Sequence, residues 1–137
     1  MEYRKFKYKR FWRNSISIPF IWLPLISIIF LDLMASFYQF ICFPLYGLEK
    51  VKRVEYILVF DRAKLKYLSP FEKVDCMYCG YANGLLLYVK EIAGRTEKYW
   101  CGIMHENKPG FKVQEDQVKE GFVPYGDEKA LKKKYGA

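Results

Sequence analysis

Residues 15–48 read SISIPFIWLPLISIIFLDLMASFYQFICFPLYGL, 34 residues with a single charge, Asp32. No other stretch restricts the fold as much. A helix crosses a bilayer with about 20 apolar residues. This run exceeds one simple crossing and is barely long enough for two. It is also longer than the roughly 7–15 apolar residues of a cleavable signal, and no small-x-small site accompanies it. Two arrangements follow. One is a hairpin or re-entrant anchor bent at Pro19, Pro24 or Pro44. The other is a single span starting near Pro19, followed by a helix along the interface. The hairpin is preferred, because positive charge does not distinguish the two ends. Six Lys/Arg precede the run, and Lys50, Lys52, Arg53, Arg62, Lys64 and Lys66 follow it.

Asp32, Ser36 and Gln39 recur at i, i+4 and i+7, which puts one polar stripe on an otherwise apolar helix. A lipid-facing carboxylate is costly, so the stripe should face protein or water. It reads as an intramembrane docking face for another subunit or a second copy. The blander alternative puts Asp32 at the headgroups.

The segment 1–14, MEYRKFKYKRFWRN, interleaves Arg4, Lys5, Lys7, Lys9, Arg10 and Arg13 with aromatic residues that include Trp12. The whole chain carries a net charge of +8 and 12 Tyr, 11 Phe and 3 Trp, so an RNA-stacking surface and a lipid-facing arm compete on composition. Because an apolar segment follows at once, the lipid reading is favoured. Cations attract anionic headgroups, and Trp and Tyr settle at the interface.

Residues 49–106 are left as a small unit. Tyr56 to Phe60 suggests a short strand, with Leu65 to Leu68 pairing back. Ser69-Pro70-x-Glu72 is a capping box, which predicts a helix from Pro70. Gly80 and Asn83-Gly84 are expected to break it. A second, amphipathic helix should cover 85–100, with Glu91 and Arg95 as an i,i+4 ion pair. The remainder, 107–137, reads as an irregular surface arm with a short helix over Asp127 to Lys134.

About sixty residues form a marginal core, and such units commonly need a staple. Cys76-x2-Cys79 and Cys101-x3-His105 offer one. Zinc takes four tetrahedral thiolate and imidazole ligands, and pairs at these spacings each reach an ion from one turn. The candidate metal ligands are therefore Cys76, Cys79, Cys101 and His105, with Asp75, Glu97 and Glu106 as substitutes. Zinc is the cofactor expected. A Cys76–Cys79 disulfide or redox dithiol, an iron–sulfur cluster and ordinary cysteines compete with it. Convergence carries a condition: the chain between Gly80 and Trp100 must fold back. With one His and no Gly-rich phosphate loop, no catalytic set stands out.

The stretches YQFICFPLYGLEKVKR, FDRAKLKYLSPFEKVDCMYCGYANGL and YVKEIAGRTEKYWCGIMH resemble a family of short bacterial membrane-associated proteins with a CxYCxYANG…RTExYWC…H pattern. The resemblance spans about residues 38–105. It includes all four proposed ligands and departs at Gly102, where the family has Pro. It implies no activity. It does imply that the apolar stretch and the Cys/His unit belong to one module.

The expectation is a mainly α protein made of a membrane anchor, a Cys/His metal-stapled unit with a short β element, and a C-terminal arm. Its function would be a zinc-binding accessory or assembly subunit of a larger complex in the bacterial cytoplasmic membrane, structural rather than catalytic. Its partners would be lipids and membrane proteins rather than nucleic acid, and the Cys/His unit would lie on the cytoplasmic side. The alternative is a membrane-bound redox or metal-dependent enzyme using Cys76, Cys79 and Cys101.

Overall fold

A computed structural model describes residues 11–136 and, of Phe11, the backbone alone. Arg4, Lys5, Lys7, Lys9 and Arg10 of the basic arm lie outside the described residues. Five α-helices account for most of the rest: α1 (Phe11–Trp22), α2 (Pro24–Tyr46), α3 (Pro70–Trp100), α4 (Glu115–Lys119) and α5 (Glu128–Tyr135).

Helices α1 and α2 follow one another as a nearly continuous apolar rod from Trp12 to Tyr46, 35 residues long. The expected hairpin within 15–48 is not formed. Pro24 stands at the first position of α2, where its missing N–H costs nothing. Leu23 keeps right-handed helical angles, and its N–H donates to the Pro19 carbonyl at 3.0 Å. The chain turns only after Tyr46, at Gly47 with φ +70°.

From Gly47 the chain runs back along α2 without forming a strand. The expected strand over Tyr56 to Phe60 is replaced by an extended return segment, residues 48–69, carrying 3-10 turns at Arg53–Glu55 and Arg62–Lys64. The β-branched run found no strand to pair with and packs on helices instead.

Helix α3 begins as expected. The Ser69 hydroxyl accepts from the Glu72 N–H, and the Glu72 carboxylate accepts from the Ser69 N–H at 2.9 Å. It then continues unbroken for 31 residues, about 46 Å at 1.5 Å per residue. The predicted break at Gly80 and Asn83-Gly84 is absent. Those glycines do a different job. A Cβ on Gly80 would lie 2.5 Å from the Leu58 carbonyl oxygen, and one on Gly84 2.5 Å from the Tyr56 carbonyl oxygen and 2.9 Å from the Ile57 Cα. The small face lets the return segment's backbone press onto the helix, and that packing offsets glycine's poor helix propensity of about 1 kcal/mol each.

The rod formed by the end of α1 and by α2 runs parallel to α3. Trp22 packs on Tyr78, Gln39 meets Tyr88 and Tyr46 stacks on Tyr99, so contacts ascend together on both. The return segment descends between them: the Glu49 carbonyl accepts from Arg95, Tyr56 packs on Tyr88, and Arg62 donates to the Cys76 carbonyl. The inward face of α2 follows a 3-4 repeat of the coiled-coil kind, Leu25, Ile28, Asp32, Ala35, Gln39, Cys42 and Tyr46, widened by Ser36, Tyr38 and Phe43. Phe43, Val51, Leu85, Tyr88 and Ile92 form the buried core.

Beyond Trp100 the chain folds over the last turns of α3 rather than trailing away. Met104 donates to the Val123 carbonyl and Val123 to that of Gly102, both at 2.8 Å, joining Ile103 and Val123 in an isolated parallel bridge. Lys90 pairs with Asp116 at 3.0 Å and Lys98 with Glu120, and both tie α4 to α3. The Asp127 side chain caps α5 by accepting from the Ala130 N–H at 2.9 Å.

Candidate functional site

Two places attract attention: the polar stripe of α2 and the Cys/His residues.

The stripe faces inward. Asp32 is 9% exposed and Gln39 7%, in a helix whose other faces are largely bare. The Asp32 carboxylate receives the Arg53 guanidinium in a two-pronged pair, with Nη2 at 2.6 Å from Oδ2. The Tyr81 hydroxyl donates to Oδ2 at 2.7 Å, and the Ser36 hydroxyl to Oδ1 at 3.3 Å. A planar guanidinium matches both carboxylate oxygens at once, so the charge is compensated in place. Gln39 uses both ends of its amide. Its Oδ-equivalent carbonyl oxygen, Oε1, accepts from the Val51 N–H at 2.7 Å, while Nε2 donates to the Tyr88 hydroxyl at 2.7 Å and the Val51 carbonyl at 3.3 Å. The stripe therefore clamps the return segment and α3 to α2. Its hydrogen-bonding groups are engaged inside the chain instead of being presented to another subunit.

Arg53, Tyr81 and Tyr88 did not stand out in the sequence as members of this cluster. Tyr81 and Tyr88 lie seven residues apart, like Asp32 and Gln39, and that matching interval was the available signal. Nothing local to Arg53 marked it among the neighbouring Lys50 and Lys52.

The Cys/His residues do not converge. Cys76 and Cys79 share one turn near the start of α3, whereas Cys101 and His105 follow its end. Cys79 and Cys101 are 22 residues apart along a continuous helix, about 33 Å of rise. One ion cannot reach all four in one chain, so the expected four-ligand staple does not close. Among the described residues no three His, Cys, Asp or Glu side chains gather as a metal would need. Cys79 and Cys101 are exposed, Cys42 and Cys76 are half-buried, and all four are reduced.

Each end has its own surroundings. Cys76 and Asp75 border an open groove with Arg62, Leu65 and Glu72. The His105 imidazole stands 3.8 Å from Glu97 Oε1 and edge-on to the Phe111 ring. Glu97 is engaged further by the buried Gln117 amide, whose Nε2 donates to Oε1 at 2.9 Å. Glu106 pairs with Lys108 at 3.0 Å. The expected Glu91–Arg95 pair is present at 2.8 Å. Trp12 and Arg13 are exposed at the start of α1.

The rod itself is the remaining surface. It is long and apolar enough to cross a membrane, and only 6% of its most apolar window is buried. Ile26, Phe30, Leu33, Phe37, Phe40 and Leu45 are all exposed on it. Compared with protein-family models, curated proteins and solved structures, the chain matches none.

Proposed function

We propose that the chain is a membrane-anchored accessory or assembly subunit of a larger complex in the bacterial cytoplasmic membrane, structural rather than catalytic. One observation carries the reading: the rod Trp12–Tyr46 is long and apolar, yet it packs on the rest of the chain along one side only and leaves its other faces bare. The core helix of a soluble protein is mostly buried. This one leaves Ile26, Phe30, Leu33, Phe37, Phe40 and Leu45 exposed along its length, and contiguous apolar surface beyond a few hundred Å² is where lipid or a partner is the expected cover. The Asp32 clamp supports the same view, because a carboxylate in an apolar span is tolerated when paired inside protein.

The test is fractionation followed by in-cell cross-linking. The full chain should stay in the membrane pellet through alkaline carbonate, leave it with detergent, and cross-link reproducibly to a defined membrane protein. Recovery as a detergent-solubilised monomer with no cross-linked partner would contradict the accessory role.

A second reading keeps the metal or redox chemistry. It is favoured by Cys76 and Cys79, two thiols one helical turn apart on α3, with Cys79 exposed. With Cys101 about 33 Å of helix away from Cys79, this pair is at most half of a zinc or iron–sulfur site. The other ligands would come from a partner chain. Elemental analysis of the purified complex tests it: zinc or iron, lost on Cys79→Ser, supports the half-site, and none contradicts it.

A further inference from the structure

Charge in this chain is segregated around the rod and not along it. Phe30, Met34, Phe37 and Ile41 recur at the 3-4 interval on the face of α2 opposite Asp32 and Gln39, and all four are exposed. Between Arg13 and Glu49 the rod carries no charge except Asp32, which is clamped inward. The other side of the molecule is different. Tyr81 and Tyr88 turn towards α2. Asn83 and Lys90, two residues further on in each case, stand on the far face of α3, where Lys90 pairs with Asp116 of the C-terminal segment. Leu86 and Leu87 are exposed between them, and a few scattered apolar side chains are ordinary on a wet surface. The cross-section therefore runs from apolar to polar: the bare face of α2, the Asp32 and Gln39 clamp, α3, then the charged C-terminal segment.

An upright rod would drag charge into the bilayer at several heights. Arg62 donates to the Cys76 carbonyl, close to the level where Tyr78 packs on Trp22. Arg53 reaches Asp32, and Lys52 and Glu55 pair beside it. Lys90, Glu91, Arg95, Glu97 and Lys98 follow on α3 as far as Tyr99, which stacks on Tyr46. Charges thus flank the rod near Trp22, near Asp32 and short of Tyr46, and the intervals between these levels are shorter than the roughly 20 residues of a crossing. The rod is also too long. Its 35 residues make about 52 Å of helix, which exceeds a hydrocarbon core of about 30 Å by some 20 Å.

Resting on the membrane-anchored reading above, we infer that the rod lies in the plane of one lipid leaflet, its bare face in the hydrocarbon and the far face of α3 in water, and that it does not cross. A body that is apolar along one long side and charged along the other binds as an amphipathic helix does, parallel to the surface. A helix with its side chains is about 10–12 Å across, within the roughly 15 Å that one leaflet contributes to the hydrocarbon. Lipid is the occupant that the flanking charges fit. Arg13 stands at one end of the bare face and Lys50 at the other, its ammonium 4.3 Å from the centroid of the Phe40 ring, so each end offers a cation to anionic headgroups. Trp12 is exposed at the first end, and Tyr99 and Trp100 beside Tyr46 at the second, which suits aromatic residues at headgroup level. On the return segment exposed Leu58 and Phe60 mix with Glu55, Asp61 and Arg62, which puts this flank at the headgroup boundary.

The experiment is thiol labelling of the full chain in intact cells and inverted vesicles with a membrane-impermeant maleimide. In a background with all four cysteines changed to Ser, Arg13→Cys and Lys50→Cys, at opposite ends of the rod, should label from the same side without detergent, and so should Asn83→Cys on α3. Labelling of Arg13→Cys and Lys50→Cys from opposite sides overturns the in-plane orientation and leaves a crossing anchor standing. Recovery of the chain in the soluble fraction overturns the anchor itself. A second measurement separates lipid from a protein cover. A bimane on Phe37→Cys should lose most of its fluorescence when the purified chain binds phosphatidylglycerol vesicles with brominated acyl chains, and a bimane on Asn83→Cys should keep it. Vesicle-bound protein with no quenching at Phe37→Cys overturns the lipid contact in favour of a protein cover. Should the cysteine-free background misfold, the unsubstituted chain gives its own readout: the exposed thiols of Cys79 and Cys101 should both label without detergent from one side. Protection of Cys79 until detergent is added overturns the proposal.

Discussion

Asp32 and Tyr81 lie 49 residues apart in sequence and are joined by a 2.7 Å hydrogen bond, and Gln39 and Tyr88 repeat that separation and that distance one heptad along. A constant offset between two helices means that they run in the same direction in register. The polar residues of the apolar span are thus the rivets of a parallel pair, with the return segment caught between.

The Asp32 clamp should be costly to break from one side only. Asp32→Leu leaves the Arg53 guanidinium and the Tyr81 hydroxyl without their acceptor, and Arg53→Met leaves the carboxylate unpaired, a loss of roughly 1–3 kcal/mol for each. The combination Asp32→Leu with Arg53→Met removes both charges and should recover much of that. Thermal midpoints in detergent for the two singles and the double check this. Additive losses would mean that the pair does not couple.

Gln39→Leu should destabilise by a comparable amount, about 1–3 kcal/mol, because the Val51 N–H and the Tyr88 hydroxyl lose their partner together. Hydrogen exchange reads the effect directly. Protection of the Val51 amide should fall, with the amides of α5 unchanged.

Gly84→Ala introduces a methyl where the Tyr56 carbonyl and Ile57 Cα stand closer than any side chain tolerates. Overpacking of this kind costs about 1–3 kcal/mol, although alanine is the better helix former. Gly94, with open space except for Asp116 Oδ2 at 4.0 Å, is the control: Gly94→Ala should be neutral or stabilising. If Gly84→Ala raised the thermal midpoint, the close approach of the return segment would be wrong.

Cys79→Ser should leave the fold intact, within about 0.5 kcal/mol, since its side chain is exposed and no intrachain site depends on it. Chelators should likewise leave the far-ultraviolet circular dichroism of the purified chain unchanged. Unfolding by either would restore the metal staple and require α3 to bend.

Particular residues explain what the sequence disclosed. The Ser69–Glu72 capping box, the short helix after Asp127 and the Glu91–Arg95 pair were legible because each depends on residues within a turn or two, and the apolar character of 15–48 was legible while its straight course was not. Gly80 and Gly84 misled because a glycine's meaning is set by what packs on it. In isolation they weaken a helix; beneath the backbone of Tyr56 to Leu58 they are required. Tyr56 to Phe60 misled in the same way, since a β-branched run becomes a strand only if a second strand is available. Arg53 was hidden because its partner lies 21 residues upstream on another element. The tetrad Cys76, Cys79, Cys101 and His105 had suitable local spacing, and the straight course of α3 between the pairs undid it.

Proximity cross-linking measures the parallel register of the rod and α3 most directly. In a background with all four native cysteines changed to Ser, cysteine pairs replace Trp22 with Tyr78, Tyr46 with Tyr99, and Trp22 with Tyr99. Mild oxidation of dilute, detergent-solubilised protein should join the first two pairs within one chain and leave the third unjoined. Cross-linking of Trp22→Cys with Tyr99→Cys, without the other two, would mean an antiparallel hairpin and would contradict the account.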